Sequence, residues 1–133
     1  MIPTRVLSLL CIILCAVQFS TANAQAPQCE VKHQPFANGG TSTGTMRLEQ
    51  GSVCQFKFRF GQVNPPESWE LIEPPKFGKV MFKDDTAEYQ ASDGFSGEDK
   101  FVVALFGKAP NCGGGRCTRN GRFAFVVTVK PKS

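Results

Sequence analysis

His33 is the only histidine in the chain, so any Ser-His-Asp or Cys-His relay would have to be assembled around that one ring. It stands in QCEVKHQPFANGG (28–40), a Gly- and Pro-containing stretch that gives an imidazole no evident support, and it reads as an exposed side chain. The carboxylates are no better arranged. Asp84 and Asp85 are adjacent, and adjacent strand residues point to opposite faces, so the pair reads as a turn rather than as an acid and a base. Asp93, Glu98 and Asp99 fall in DGFSGED, which lacks the D-x-[DN]-x-[DN]-G spacing of a calcium loop and reads as a structural corner. The glycines of CGGGRC (112–117) carry no following Lys-Ser/Thr and open no helix, so they do not form a phosphate loop. No metal or cofactor motif is present, and the sequence reads as non-enzymatic.

One stretch is suited to recognition. KAPNCGGGRCTRNGR (108–122) holds Lys108, Arg116, Arg119 and Arg122 and no acidic residue. Guanidinium forks match carboxylate and phosphate partners, and loops on a rigid scaffold are common binding surfaces. The plainer reading is a solvated, braced turn. The charge overall is mild: 15 Lys+Arg against 11 Asp+Glu, a formal net of +4, with the signs interspersed. Nucleic-acid binding calls for a concentrated basic face with interleaved aromatics, and this chain shows none.

The start of the chain reads as a targeting signal. Arg5 supplies the positive charge, residues 6–17 (VLSLLCIILCAV) are apolar, and Ala22-Asn23-Ala24 is an A-x-A cleavage pattern. The apolar run is shorter than the roughly 20 residues a spanning helix needs. Leu14 stands before Cys15 where lipid attachment expects a small residue. The expected organisation is a cleaved signal peptide over 1–24, a flexible N-terminal segment over 25–42 and one domain over 43–133, with no membrane span left after cleavage. An exported product, periplasmic or extracellular, follows. Cleavage removes Cys11 and Cys15 and leaves Cys29, Cys54, Cys112 and Cys117, an even set that favours two disulfides in an oxidising compartment. A zinc site would show closely spaced Cys pairs, and only Cys112 and Cys117 are near each other.

Strands must position these groups, because Gly and Pro interrupt every stretch that could sustain a helical period. CQFKFRF (54–60) alternates apolar and polar without a break, and RFAFVVTV (122–129) puts Phe123, Phe125, Val127 and Val129 on one face. Residues 100–106 are apolar on both faces, as in a central strand covered on two sides. Shorter strands are predicted at 43–49, 67–73, 79–83 and 87–91. Asn64-Pro65-Pro66 and Glu73-Pro74-Pro75 mark corners, and Asn120-Gly121 is a hairpin signal leading into the last strand. Seven short strands at spacings near ten residues predict an all-β, antiparallel two-sheet sandwich. Its core would be phenylalanine, since eleven of the twelve lie beyond the leader.

Pro75-Lys76-Phe77-Gly78-Lys79-Val80, then Tyr89, then Gly94-Phe95-Ser96-Gly97-Glu98-Asp99-Lys100-Phe101, resembles bacterial Ig-like or cadherin-like domains, with Ala91 where that family usually has Pro. The resemblance implies a seven-stranded Ig-like sandwich used as an extracellular or periplasmic scaffold or adhesive module, here in single copy. Gly78 and Gly94 suit turns that a Cβ would hinder, and Asp99 can hold the corner before the strand at 100–106 through local backbone N–H groups. Trp69 is similar to the buried Trp of Ig sandwiches, but the strand at 100–106 has no Cys for Cys54. Cys29–Cys54 and Cys112–Cys117 are the favoured disulfides, the first pinning the N-terminal segment and the second stapling the last hairpin, with a Cys54 bond to the hairpin tip as the alternative.

The expected function is a small exported binding or structural module that contacts a protein partner through Lys108, Arg116, Arg119 and Arg122. An inhibitor of a secreted hydrolase, using the braced loop as a wedge, is a second reading. Carbohydrate binding is a third. It wants exposed Trp or Tyr platforms, and the single Trp and single Tyr are better used in the core. The oligomeric state is open.

Overall fold

Alternation decides which residues turn inward. In β2 (Thr41–Glu49) Ser42, Gly44, Met46 and Leu48 are buried between exposed neighbours. In β8 (Cys117–Lys130) the buried set is Gly121, Phe123, Phe125, Val127 and Val129. The computed structural model describes residues 29–58, 65–109 and 117–132. The expected signal peptide with its expected cleavage site, Asn64, Cys112 and Arg116 lie outside the described residues. The remaining strands are β1 (Cys29–His33), β3 (Val53–Lys57), β4 (Ser68–Glu73), β5 (Gly78–Lys83), β6 (Thr86–Ala91) and β7 (Gly97–Ala109).

They form a five-stranded sheet in the order β1-β2-β8-β7-β4 and a three-stranded sheet in the order β3-β6-β5. The inner faces meet through aromatic rings. Phe56 of β3 packs 4.9 Å from Phe125 and 5.2 Å from Phe123 of β8, while Tyr89 of β6 stacks on Phe101 of β7 at 5.8 Å. Met46, Leu105, Val103 and Val127 are also part of the buried layer. The expected phenylalanine core and two-sheet, all-β arrangement are thus present.

Several details differ from the sequence reading. The strand count is eight, not seven. The extra strand, β1, lies within 25–42 and pairs antiparallel with β2. Its five residues carry only two apolar anchors, Cys29 and Val31, too few for periodicity to reveal. The sandwich is not wholly antiparallel, because β2 pairs β8 in parallel from Thr41↔Arg122 to Glu49↔Lys130. These strands are far apart in sequence, so their pairing needs no tight crossover. Asn120-Gly121 is not a hairpin turn but lies inside β8. A Cβ on Gly121 would stand 2.5 Å from the Phe36 ring and 2.7 Å from the Ala37 carbonyl, so this glycine admits the 34–40 loop. Central β7 has strands on both sides, and its outer surface is covered only in part, with Ala104 4% and Phe106 40% exposed.

Cys29 and Cys54 form a disulfide with Cα atoms 5.3 Å apart, which excludes the alternative bond from Cys54 to the hairpin tip. Because β1 and β3 are edge strands of different sheets, this bond closes one side of the sandwich covalently. Cys117 is also disulfide-bonded, while its expected partner Cys112 lies outside the described residues.

Candidate functional site

The basic stretch grows out of the longest antiparallel pair in the molecule. β7 and β8 are in register from Gly97↔Val129 to Ala109↔Cys117. β4 accompanies β7 only as far as Ser68↔Phe106, and β2 accompanies β8 only from Thr41↔Arg122. Glu67 N still donates to Phe106 O at 2.8 Å, and Gly39 N donates to Asn120 O at 2.6 Å. Beyond those bonds, from Gly107↔Arg119 to Ala109↔Cys117, the pairing among the described residues is between β7 and β8 alone. The strands continue as a two-stranded ribbon that carries the disulfide-bonded Cys117.

Alternation divides the predicted cations between two faces. Lys108 shares the outward parity of Phe106 and Ala104, and its Nζ lies 3.7 Å from Glu67 Oε1. Arg119 has the opposite parity, that of Phe123, and is half-buried. Arg122 is exposed on the outer surface of the five-stranded sheet, beside Ala104 of β7. Lys108 and Arg122 are thus on one face, separated along the ribbon by about 13 Å at the usual strand rise. Arg119 points the other way, and Arg116 lies outside the described residues. Sequence proximity suggested one cluster, whereas the ribbon presents cations on both surfaces.

Sequence reasoning missed Glu67, which faces Lys108 from just before β4, and Glu70, which shares a row with Arg122. Glu70 lies 38 and Glu67 lies 41 residues before Lys108, and only the strand register brings them near the basic stretch.

The motif around Asp99 builds a second organised corner. Asp99 is buried, and its two carboxylate oxygens accept four hydrogen bonds. Oδ1 takes Lys76 N at 3.0 Å and Lys100 N at 2.9 Å, and Oδ2 takes Phe77 N at 3.0 Å and the Tyr89 hydroxyl at 2.9 Å. The expected local bond is there, to Lys100, but the longer reach to the 76–77 backbone and to Tyr89 joins both sheets. Burial first, then the hydrogen bond to Asp99 and its negative charge, push the Tyr89 phenol well above its ordinary range. Phe77, held by its backbone to Asp99, stacks on Phe95 with centroids 4.6 Å apart.

The other singled-out residues have structural positions. Asp84 and Asp85 form the β5–β6 turn, with Asp84 at φ 53° and Thr86 Oγ1 bonded to Asp85 Oδ1. Trp69 is half-buried against Phe56, Phe58 and Phe82, and its Nε1 donates to Asp84 O at 3.0 Å. His33 is exposed but not unsupported. Its ring contacts Phe56 and Phe123, and its Nδ1 donates to Gln34 O at 2.8 Å. Among the described residues no group of three or more His, Cys, Asp or Glu side chains is placed to hold a metal ion, and no helix is long and apolar enough to cross a membrane.

No known family model matches the chain, and no curated protein matches it.

Proposed function

We propose that this chain is an exported Ig-like module of the cell envelope or extracellular space, which binds a protein partner by inserting its β7–β8 ribbon against an acidic surface. The strand order supports the scaffold reading. β3-β6-β5 facing β4-β7-β8 corresponds to strands B-E-D facing C-F-G of an Ig sandwich, with β2 beside the last strand. The inter-sheet bond is relocated, from the two central strands to the edge pair Cys29–Cys54. Disulfides and the leader-like start support export.

The observation that carries the binding reading is the ribbon's length beyond its neighbours. A two-stranded arm whose lateral edges are unpaired among the described residues would be a poor way to stabilise a sandwich, because isolated ribbons are marginal in water. A disulfide at Cys117 offsets that weakness and keeps the arm rigid, which lowers the entropy lost on binding. Arginine on such an arm makes charge-assisted, planar bonds to carboxylates.

The test is capture from envelope and culture medium by immobilised oxidised protein, beside a Lys108→Glu/Arg116→Glu/Arg119→Glu variant. One partner retained by the wild type and lost by the variant supports the reading. Equal recovery by both overturns it. A captured secreted hydrolase that loses activity on binding would specify the module as an inhibitor.

A further inference from the structure

We propose that the outer face of the five-stranded sheet is a self-association surface, on which a second copy of this chain packs with Arg122 of each copy against Glu70 of the other. The register defines the geometry. Ala104 of β7 is opposite Arg122 of β8 on one side and Glu70 of β4 on the other, so one row reads Arg122, Ala104, Glu70. The two charges stand two strand spacings apart, about 10 Å, too far to pair with each other directly. Neither has an ion-pair partner among the described residues.

Such a row is complementary to itself. A two-fold axis running along β7 above Ala104 exchanges the left and right of the sheet, and so places each Arg122 over a Glu70. Sheets packed face to face are separated by about 10 Å, a gap that an arginine and a glutamate together span. The surface between the charges suits close approach. Ala104 and Ala124 are small, and Ile72, Val102, Phe106 and Val126 give an apolar strip in which Phe106 and Val126 are each 40% exposed. Between Arg122 and Glu70 the strip dips into a groove of about 480 Å³ whose lining includes Ala104, Phe106 and Ile72.

Of the remaining charges on the facing strands (Lys108, Lys100, Glu73, Glu98 and Lys130), those nearest the central row do not oppose the arrangement. Lys108 is paired with Glu67. Lys100 lies four residues from Ala104, and a tilt of each β7 by about 15° from the axis, which gives the roughly 30° usual between packed sheets, moves the two copies' Lys100 side chains apart while the central row stays nearly aligned. Glu73 stands opposite Val102 at the outer edge, where the two-fold sets it over Ala124 of the other copy and one row from that copy's Arg122.

Sedimentation velocity of the oxidised protein over a concentration series tests this directly, with no partner present, so it is independent of the ribbon's binding role. The wild type is expected to shift from monomer to dimer with concentration. Arg122→Glu and Glu70→Arg, each of which sets like charges opposite one another twice, are expected to weaken the dimer at least about a hundredfold. The combined Arg122→Glu/Glu70→Arg chain is expected to recover it. Both positions are exposed, and unchanged thermal unfolding will verify that the variants fold. A wild type that stays monomeric, a dimer indifferent to either single reversal, or a double reversal that fails to restore it overturns the proposal.

Discussion

The Tyr89 hydroxyl donates to Asp99 Oδ2 across 2.9 Å, and that bond crosses from the three-stranded sheet to the five-stranded one. The same carboxylate accepts the backbone N–H groups of Lys76 and Phe77, which lead into β5. One buried anion therefore fixes the relative position of β5, β6 and β7. The end of the sandwich that β7 starts from is thereby tied across both sheets, at the opposite end of β7 from the ribbon.

Asp99→Asn should be strongly destabilising although it is nearly isosteric. A carboxylate accepts at both oxygens, whereas an amide accepts at one and brings an N–H₂ toward donors that are already there. Two donors at this part-buried corner lose their acceptor, which costs about 2–3 kcal/mol. Urea unfolding should show a lower midpoint with an unchanged slope. A midpoint within error of the wild type would show that the four bonds contribute nothing net.

Tyr89 is the only tyrosine, so its ionisation can be followed by tyrosinate absorbance without interference. Its folded-state pKa is raised above the ordinary 10.0, so the protonated phenol is the form the fold favours. The associated stability is fully present below about pH 10 and is lost as pH rises beyond it. Absorbance should therefore show little tyrosinate until the protein unfolds, and the two transitions should coincide. Free titration near pH 10 with the fold intact would contradict the buried, Asp99-bonded hydroxyl.

Cys29→Ser should cost about 3.5 kcal/mol by the loop-entropy argument for a separation of 25 residues. Its effect should also be local. β1 pairs only with β2 in the sheet and depends on the bond for its hold on β3, so hydrogen exchange should rise in β1 before β8 is affected. Uniform loss of protection throughout both sheets would argue against an edge-specific role.

Chain regions with repeated large anchors were legible in the sequence. Phe123, Phe125, Val127 and Val129 mark β8, and the inward parity of Cys54 and Phe56 marks β3. The Asp84-Asp85 turn follows from two short polar residues between alternating strands. Elements held by partners distant in sequence were not legible. β1 depends on Met46 and Leu48 for a surface and on Cys54 for a covalent tie. The parallel register of β2 on β8 has no local signature. The basic stretch showed composition but not sidedness, because the sequence placed a turn at Asn120-Gly121 and the chain instead keeps its strand alternation through it. That one shift of turn position decides which face each arginine takes.

Gly121 and Gly94 offer a direct comparison of two reasons for glycine. Gly94 has φ +75° and nothing within 4 Å of an added Cβ, so Gly94→Ala should cost only the left-handed backbone preference, about 1 kcal/mol. Gly121 has an ordinary strand backbone but meets Phe36 and the Ala37 carbonyl. Gly121→Ala should push the 34–40 loop outward at a cost of roughly 1–3 kcal/mol, since the backbone carbonyl cannot rotate away as a side chain can. The displacement should break the bonds from Gly39 N to Asn120 O and from Arg122 N to Gly40 O. Amide exchange at Gly39 and Arg122 should then accelerate in Gly121→Ala and stay unchanged in Gly94→Ala. Equal exchange in the two variants would show that the 34–40 loop is held by Ser42 Oγ, through Ala37 N and Pro35 O, and not by its contact with β8.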